Sequence, residues 1–132
     1  MAGTIVANTL NTDTGVFSTN NAYGGICNAW VCFGGGNGTT AGAINASYNV
    51  SSVTYTATAI YQINFTNAFV DTNYCPVSGC NTDFGNVGGL RLSNSPSSAP
   101  TNKSTTSCTV TGINASSGAN QTTYQCNIAF FR

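Results

Sequence analysis

The sequence predicts an all-β domain, an antiparallel β-sandwich of jelly-roll-like type with an extended N-terminal arm. Three observations predict this fold class. The helix formers Glu, Lys, Gln and Leu are scarce, and no apolar stripe with a 3.6-residue period lasts for two turns. Several segments alternate apolar and polar side chains, as a half-buried strand does. Clusters of Gly, Asn, Ser and Pro separate these segments, and the aromatic content of 11% argues against a disordered chain.

The first 20 residues differ from the rest, and we interpret residues 1–20 as an arm ahead of a sandwich domain that covers residues 21–132. The arm alternates only weakly and ends in polar turn formers. Two interpretations stay open, since the segment is either a first strand or a docking segment that pairs with another subunit or a host structure. The docking candidates in the arm are Thr4, Ile5, Val6, Leu10, Val16 and Phe17.

Three stretches alternate most clearly, namely residues 29–33, 59–65 and 124–130. Both faces of the first stretch look covered, so we place Trp30 in the core with its neighbours. The predicted core residues are Trp30, Val31, Phe33, Tyr61, Ile63, Phe65, Ile128 and Phe130. Further candidate strands cover residues 41–50, 73–79, 87–92 and 105–113. Seven or eight short strands with turns between them are typical of a sandwich or jelly roll.

Charge is the rarest property of this sequence. Only 5% of the residues are charged, three acidic and three basic, and there is no His. Such a neutral chain offers little to nucleic acid or to an anionic membrane surface, because both bind through clusters of Lys and Arg. No apolar run approaches the ~18 residues of a transmembrane helix. A surface of low charge tends to associate, which favours a protein that lives inside an ordered assembly.

Catalytic, metal and cofactor sites are not expected. The carboxylates are Asp13, Asp71 and Asp83, and without His or Glu few groups can transfer protons. An Asp71/Asp83 pair of glycosidase type is conceivable, but nothing in the sequence sets their separation. The Asp and Asn residues lack the spacing of an EF-hand calcium loop, and the glycines of residues 34–38 lack the lysine of a phosphate-binding loop.

Six cysteines carry the strongest chemical signal. The spacing C-x4-C occurs twice, whereas zinc sites and redox motifs use C-x2-C. An even number of cysteines instead favours disulfides, with 15 possible pairings, over a zinc site or free buried thiols, which stay open as alternatives. The candidates are Cys27, Cys32, Cys75, Cys80, Cys108 and Cys126.

Spacing favours two local bridges. Cys108 and Cys126 are symmetric about Ser117, so a hairpin that turns there would place them opposite each other. Cys75 and Cys80 flank the sequence PVSG, a turn signal that favours a small local loop.

The remaining pair, Cys27 and Cys32, falls within one predicted strand. Five residues of straight strand span ~16 Å, too far for a disulfide, so each is expected to pair across the sheet or with another chain. Disulfides persist outside the reducing cytosol, yet Met1 to Asn20 has neither the basic start nor the apolar block of a signal peptide. A virion protein made in the bacterial cytoplasm and released by lysis satisfies both conditions.

Three stretches, residues 16–33, 44–54 and 61–77, together resemble a family of small β-rich phage virion proteins. Members of this family are stand-alone proteins or terminal modules of tail fibres in phages of aquatic bacteria. The shared motifs read AWVCF from Ala29, NVSSV from Asn49, YQINFT from Tyr61 and NY from Asn73. The chain departs from the family pattern at Phe69-Val70, where Met-Pro is usual, and at its cysteines. The resemblance implies a structural or host-contacting role, a trimer and no catalytic residues.

The expected function is therefore that of a short tail fibre or fibre-like appendage in a virion. Its expected partners are further copies of the chain, as a trimer, and a baseplate, tail or major capsid protein, through an intermolecular disulfide where one forms. A host glycan contacted by exposed Tyr, Asn and Thr is a further expected partner. The alternatives are a capsid decoration protein and a secreted carbohydrate-binding module, although the latter would need an export signal.

Overall fold

The structure is a computed structural model that describes residues 9–12, 15–18, 26–34, 43–81, 87–92, 102–114, 117–121 and 123–132. Within these residues the chain forms ten strands and no helix. In chain order they are β1 (Thr9–Thr12), β2 (Gly15–Ser18), β3 (Cys27–Gly34), β4 (Ile44–Tyr48), β5 (Val50–Ala57), β6 (Ile60–Phe65), β7 (Cys75–Asn81), β8 (Val87–Leu92), β9 (Ser107–Asn114) and β10 (Gln125–Phe131).

Eight strands form the sandwich, and all their pairings are antiparallel. The strand order is β4-β3-β10-β7-β8-β9-β6-β5. The β7–β8 pairing consists of two register pairs, Cys80 with Gly88 and Asn81 with Val87, and the sheet folds over at this corner. It thereby forms layer one (β4-β3-β10-β7) and layer two (β8-β9-β6-β5). Strands distant in sequence become neighbours, β3 with β10 and β6 with β9, which is Greek-key connectivity. The predicted all-β sandwich is confirmed.

The chain crosses between the layers at Asn49. This residue has a φ of 54°, a left-handed conformation that Asn tolerates better than most residues. Its amide donates to the carbonyl oxygens of Asn28 (3.1 Å) and Asn67 (3.3 Å), and its Oδ1 accepts from the backbone N–H of Asn67 at 2.8 Å. The strand predicted over 41–50 therefore ends at Tyr48, and β5 begins directly after the crossing.

The inner faces of the two layers meet in an aromatic core. Phe33 of layer one lies edge-on to Tyr61 of layer two, with ring centroids 5.4 Å apart. Phe65 and Phe130 make a similar contact at 5.0 Å. Such edge-to-face pairs add stability beyond the apolar area that they bury. Of the predicted core residues, those that are buried are Val31, Phe33, Tyr61, Ile63, Phe65, Ile128 and Phe130.

Trp30 is the exception among the predicted core residues, since 39% of its surface is exposed. Its neighbours Ala29 and Val31 point into the core, and the two-residue period of a strand turns Trp30 to the opposite face. The outer face of layer one has no second sheet over it in the described part of the chain. The apolar residues on both faces of β3 predicted that both faces are buried, and this prediction is wrong for the outer face.

The N-terminal strands β1 and β2 form a separate two-stranded sheet. Leu10 lies opposite Phe17, and Asn11 lies opposite Val16. These three apolar docking candidates thus belong to a hairpin. Residues 4–6, which hold the other three candidates, lie outside the described residues.

Candidate functional site

An apolar row crosses the outer face of layer one. Trp30 has Tyr48 as its register partner on β4 and Ala129 on β10, and Ala129 has Val77 as its partner on β7. Directly opposite residues of antiparallel strands share a face and stand 4.5–5.5 Å apart, so these four side chains are neighbours. We call Tyr48, Trp30, Ala129 and Val77 the apolar row. It spans all four strands of the layer.

The apolar row is open to solvent, since the exposed fractions are 58% for Tyr48, 39% for Trp30 and 56% for Val77. Next to it lies a shallow groove of about 340 Å³, lined by Trp30, Val77 and Gly79 among others. A Cβ built on Gly79 would have no described heavy atom within 4 Å. This glycine therefore keeps the floor of the groove low beside the two large side chains.

The outer face of layer two is chemically the opposite. Its register rows are Thr54–Gln62–Thr109 and Ser52–Asn64–Ser107, which we call the polar ladder. Its side chains bond one another: the Asn64 amide donates to the hydroxyls of Ser52 at 2.9 Å and Thr54 at 3.1 Å, and the Gln62 amide donates to that of Ser107 at 3.2 Å. The polar ladder thus makes the outer face of layer two polar, whereas the outer face of layer one carries the apolar row beside polar residues such as Asn127.

A second concavity of about 240 Å³ lies at the end of the sandwich, between Tyr48, Asn49, Asn67 and Arg132 among others. The Arg132 guanidinium bonds both carboxylate oxygens of Asp71, with Nε to Oδ1 at 2.7 Å. This hydrogen-bonded pairing lowers the pKa of Asp71 to about 2. Because the Arg132 guanidinium is already paired with Asp71 of the same chain, it does not offer this cleft an unpaired positive charge for an anion.

The described residues that line the two concavities include no His, Asp or Glu side chain. Asp71 is held in its ion pair, and Asp83, the other half of the conceivable glycosidase pair, lies outside the described residues, as does Asp13. Burial raises the pKa of the Cys108 thiol to about 11, which keeps it protonated and unreactive at neutral pH. Among the described residues, no group of three or more His, Cys, Asp or Glu side chains could hold a metal ion.

All six cysteines lie within the described ranges, and each is a free thiol. The hairpin that would set Cys108 opposite Cys126 is wrong. β9 lies between β6 and β8, so that Cys108 faces Ile63, whereas β10 lies between β3 and β7 in the other layer. The symmetric spacing reflected a connection between layers rather than a hairpin within one.

The local loop predicted between Cys75 and Cys80 is also wrong. The PVSG segment is part of β7, which pairs with β10 along its whole length from Cys75 to Asn81. An odd separation in an extended strand puts the two cysteines on opposite faces. Cys27 and Cys32 both lie in β3, where the extended strand keeps them apart as expected.

Sequence reasoning missed the apolar row as a surface. The alternation around Trp30 was visible in the sequence. Only the register of three strand pairings, however, shows that Tyr48, Val77 and Ala129 lie in one row with it.

No family model, curated protein or solved structure matches this chain. Within the described residues, no helix has the length and apolarity needed to cross a membrane.

Proposed function

We propose that this chain is a structural, non-enzymatic protein of a phage particle, displayed as a short tail fibre or fibre-like appendage. In this proposal the apolar row is the surface through which copies of the chain assemble, as a trimer. The observation that carries it is the difference between the two outer faces of the sandwich. A solitary domain would gain from polar residues across both outer faces, whereas here the apolar row interrupts the polar residues of layer one and the polar ladder continues across layer two.

The residues of the apolar row suit a protein interface. Trp and Tyr are enriched at the centres of interfaces, where they bury large areas. Full burial of a large apolar side chain contributes about 1.5–3 kcal/mol, so covering Trp30, Tyr48 and Val77 would supply several kcal/mol for each copy. No charged side chain belongs to the apolar row, so a second copy would meet it without charge repulsion.

The sequence supports a virion as the place of this assembly. The resemblance of residues 16–33, 44–54 and 61–77 to phage virion proteins implies a structural role and a trimer. A net charge of zero and 5% charged residues fit a surface shared with neighbours. Contact with a host glycan is part of the same proposal, because the polar ladder presents Ser, Thr, Asn and Gln side chains on the face that this assembly leaves open.

The assembly is tested with purified chain by sedimentation equilibrium. We expect the wild type to form an oligomer, and Val77→Lys to be monomeric because it places a charge in each copy of the apolar row. Thr109→Lys, which adds the same charge to the polar ladder, is the matched control and should leave the oligomer intact. A monomeric wild type, or an oligomer that Val77→Lys leaves unchanged, would contradict assembly through this face.

The location is tested by labelling purified particles with an antibody against the chain and imaging them. Labelled tails are expected. Labelled heads would instead identify a capsid decoration protein, and absence from particles would overturn the virion assignment. If the chain is absent from particles and its Trp30 fluorescence shifts when oligosaccharide is added, the protein is instead a secreted carbohydrate-binding module.

A further inference from the structure

We propose that Cys80 and Cys126 form a disulfide that joins β7 to β10 once the protein meets an oxidising environment. The pair is defined by register, since Cys126 is the direct antiparallel partner of Cys80. The inference is independent of the assembly proposed above, because it concerns two residues on the inner face of layer one.

The geometry of the pair suits a bridge. Opposite Cα atoms in an antiparallel ladder lie about 4.5–5.5 Å apart, inside the ~4.4–6.8 Å range of disulfides. Both side chains point to the same side, because Cys126 is fully buried and Cys80 packs against the core. The bond would therefore form without moving the backbone out of register.

The other cysteines do not compete for this position. Cys32 lies opposite Asn127 rather than Cys126, so it is on the outer face of layer one. Cys75 is exposed and lies opposite Phe131. Cys108 belongs to layer two, where its partner is Ile63.

The two thiols differ in access, which sets the order of events. The Cys126 Sγ lies 2.7 Å from the hydroxyl oxygen of Thr123 in a buried site, and burial raises its pKa to about 12. Cys80 is only partly buried, although burial raises its pKa as well. A soluble oxidant therefore meets Cys80 first, and Cys126 completes the bond.

With oxidised glutathione as the oxidant, the exchange balances in two steps. The Cys80 thiol loses its proton and its sulfur attacks the glutathione disulfide, which releases one reduced glutathione and leaves a mixed disulfide. The Cys126 thiol then loses its proton and attacks the Cys80 sulfur, which releases the second reduced glutathione. The protein gives up two electrons and two protons, and the glutathione disulfide takes up both to become two molecules of reduced glutathione.

The bond would reinforce the sandwich beside its weakest pairing. Cys80 is one of two β7 residues in register with β8, at the corner where the sheet folds over. The bridge would close residues 81–125 into a loop, and long closed loops constrain the unfolded chain strongly. We expect the melting temperature of the oxidised protein to exceed that of the reduced protein by about 10 °C.

The test uses the purified full chain, reduced and then incubated with oxidised glutathione. Free thiols are blocked, and the protein is cut before Asp and after Lys and Arg, without reduction. The cysteines then separate into fragments 13–70, 71–82 and 104–132. A Cys80–Cys126 bond links 71–82 to 104–132, whereas a Cys108–Cys126 bond would stay inside 104–132.

The linked fragment and the rise in melting temperature are expected in the wild type and in Cys75→Ser. Both should be lost in Cys80→Ser and Cys126→Ala. The reduced melting curve of each variant shows whether it folds, and Cys80→Ser is the milder change because Cys80 is only partly buried. A folded wild type that leaves 71–82 unlinked after oxidation, or a link that survives in Cys80→Ser, would overturn the pairing.

Discussion

Tyr74 shows how a single polar group can fix a loop against the core. It is almost fully buried, and its hydroxyl is 3.0 Å from each of two acceptors, the carbonyl oxygens of Ser104 and Ser107. Burial raises the pKa of this hydroxyl. The Lys103 ammonium donates to the Tyr74 carbonyl at 3.0 Å and lies 5.2 Å from the ring centroid. The ring also packs against Phe65, Phe69 and Phe130.

Replacing Tyr74 by Phe should lower the free energy of unfolding by about 1–3 kcal/mol, because two carbonyl groups lose a buried donor. Urea unfolding followed by fluorescence measures the change. Tyr124→Phe is the control, since 57% of Tyr124 is exposed and surface changes stay within about 0.5 kcal/mol. Equal effects of the two substitutions would contradict a structural role for the Tyr74 hydroxyl.

Trp30 and Cys126 mark the limit of sequence reasoning at this scale. Alternation placed Cys126 on an inner face, where it lies. Its register partner Cys80 stands 46 positions earlier in the chain, on another strand. The same alternation could not say which face of β3 was the inner one for Trp30. Both answers depend on neighbouring strands that the local pattern does not identify.

Another segment of the chain lies very close to β9 at Gly112. Gly112 donates its N–H to the carbonyl of Ala59 at 2.8 Å, and its own carbonyl accepts from Gln121 at 3.0 Å. A Cβ added at Gly112 would lie 2.6 Å from the Gln121 carbonyl oxygen and 2.9 Å from a Thr123 methyl group. Gln121 and Thr123 can lie this close to β9 only because position 112 has no side chain.

Gly112→Ala should therefore destabilise the fold by about 1–3 kcal/mol, the usual cost of overpacking. Gly79→Ala on β7 is the matched control, because a Cβ there meets open space, and its unfolding free energy should stay within about 0.5 kcal/mol of the wild type. Thermal or urea unfolding distinguishes the two. A tolerated Gly112→Ala would show instead that Gln121 and Thr123 move aside easily.

The strands that sequence found best are those with one buried and one open face. β6 and β10 alternate regularly, with Tyr61, Ile63 and Phe65 inward on the first. β5 was missed because Ser and Thr dominate its sequence. In addition, Asn49 forms the sharp crossing before β5, and Asn by itself does not reveal a left-handed backbone conformation. Pairing order was beyond reach, since no local pattern specifies that β3 meets β10.

For the molecule as a whole, the few titratable groups predict a plateau of stability against pH. The pKa of Asp71 falls from 3.8 to about 2 on folding because Arg132 bonds its carboxylate. A lowered folded-state pKa gives a stabilising contribution that is present above about pH 4 and is lost as the pH falls to about 2. Melting temperatures measured from pH 7 to pH 2 should fall over that interval, and Asp71→Asn should remove this part of the fall.

At alkaline pH the buried thiols have the opposite effect, because their pKa values are raised rather than lowered by folding. Burial raises the pKa of Cys108 from 9.0 to about 11 and that of Cys126 from 9.0 to about 12. A raised thiol pKa gives a contribution that is present below about pH 9 and is lost as the pH rises through the folded-state values. Melting temperatures should therefore fall above pH 9 in the reduced protein. The melting temperature of the oxidised protein should fall less, because a Cys126 sulfur held in a disulfide cannot ionise. Equal alkaline losses in the two forms would contradict this.

The place of β10 governs when the molecule can form at all. This strand is the last described along the chain, yet it lies inside layer one, flanked by β3 and β7. On a ribosome, β3 and β7 must therefore wait unpaired on that side until residues 125–131 emerge from the exit tunnel. Until then, each of these two strands keeps one unpaired edge, a state prone to wrong pairing. A slower passage of the ribosome between β7 and β10 would prolong this exposure, because both edges are closed by the same late strand.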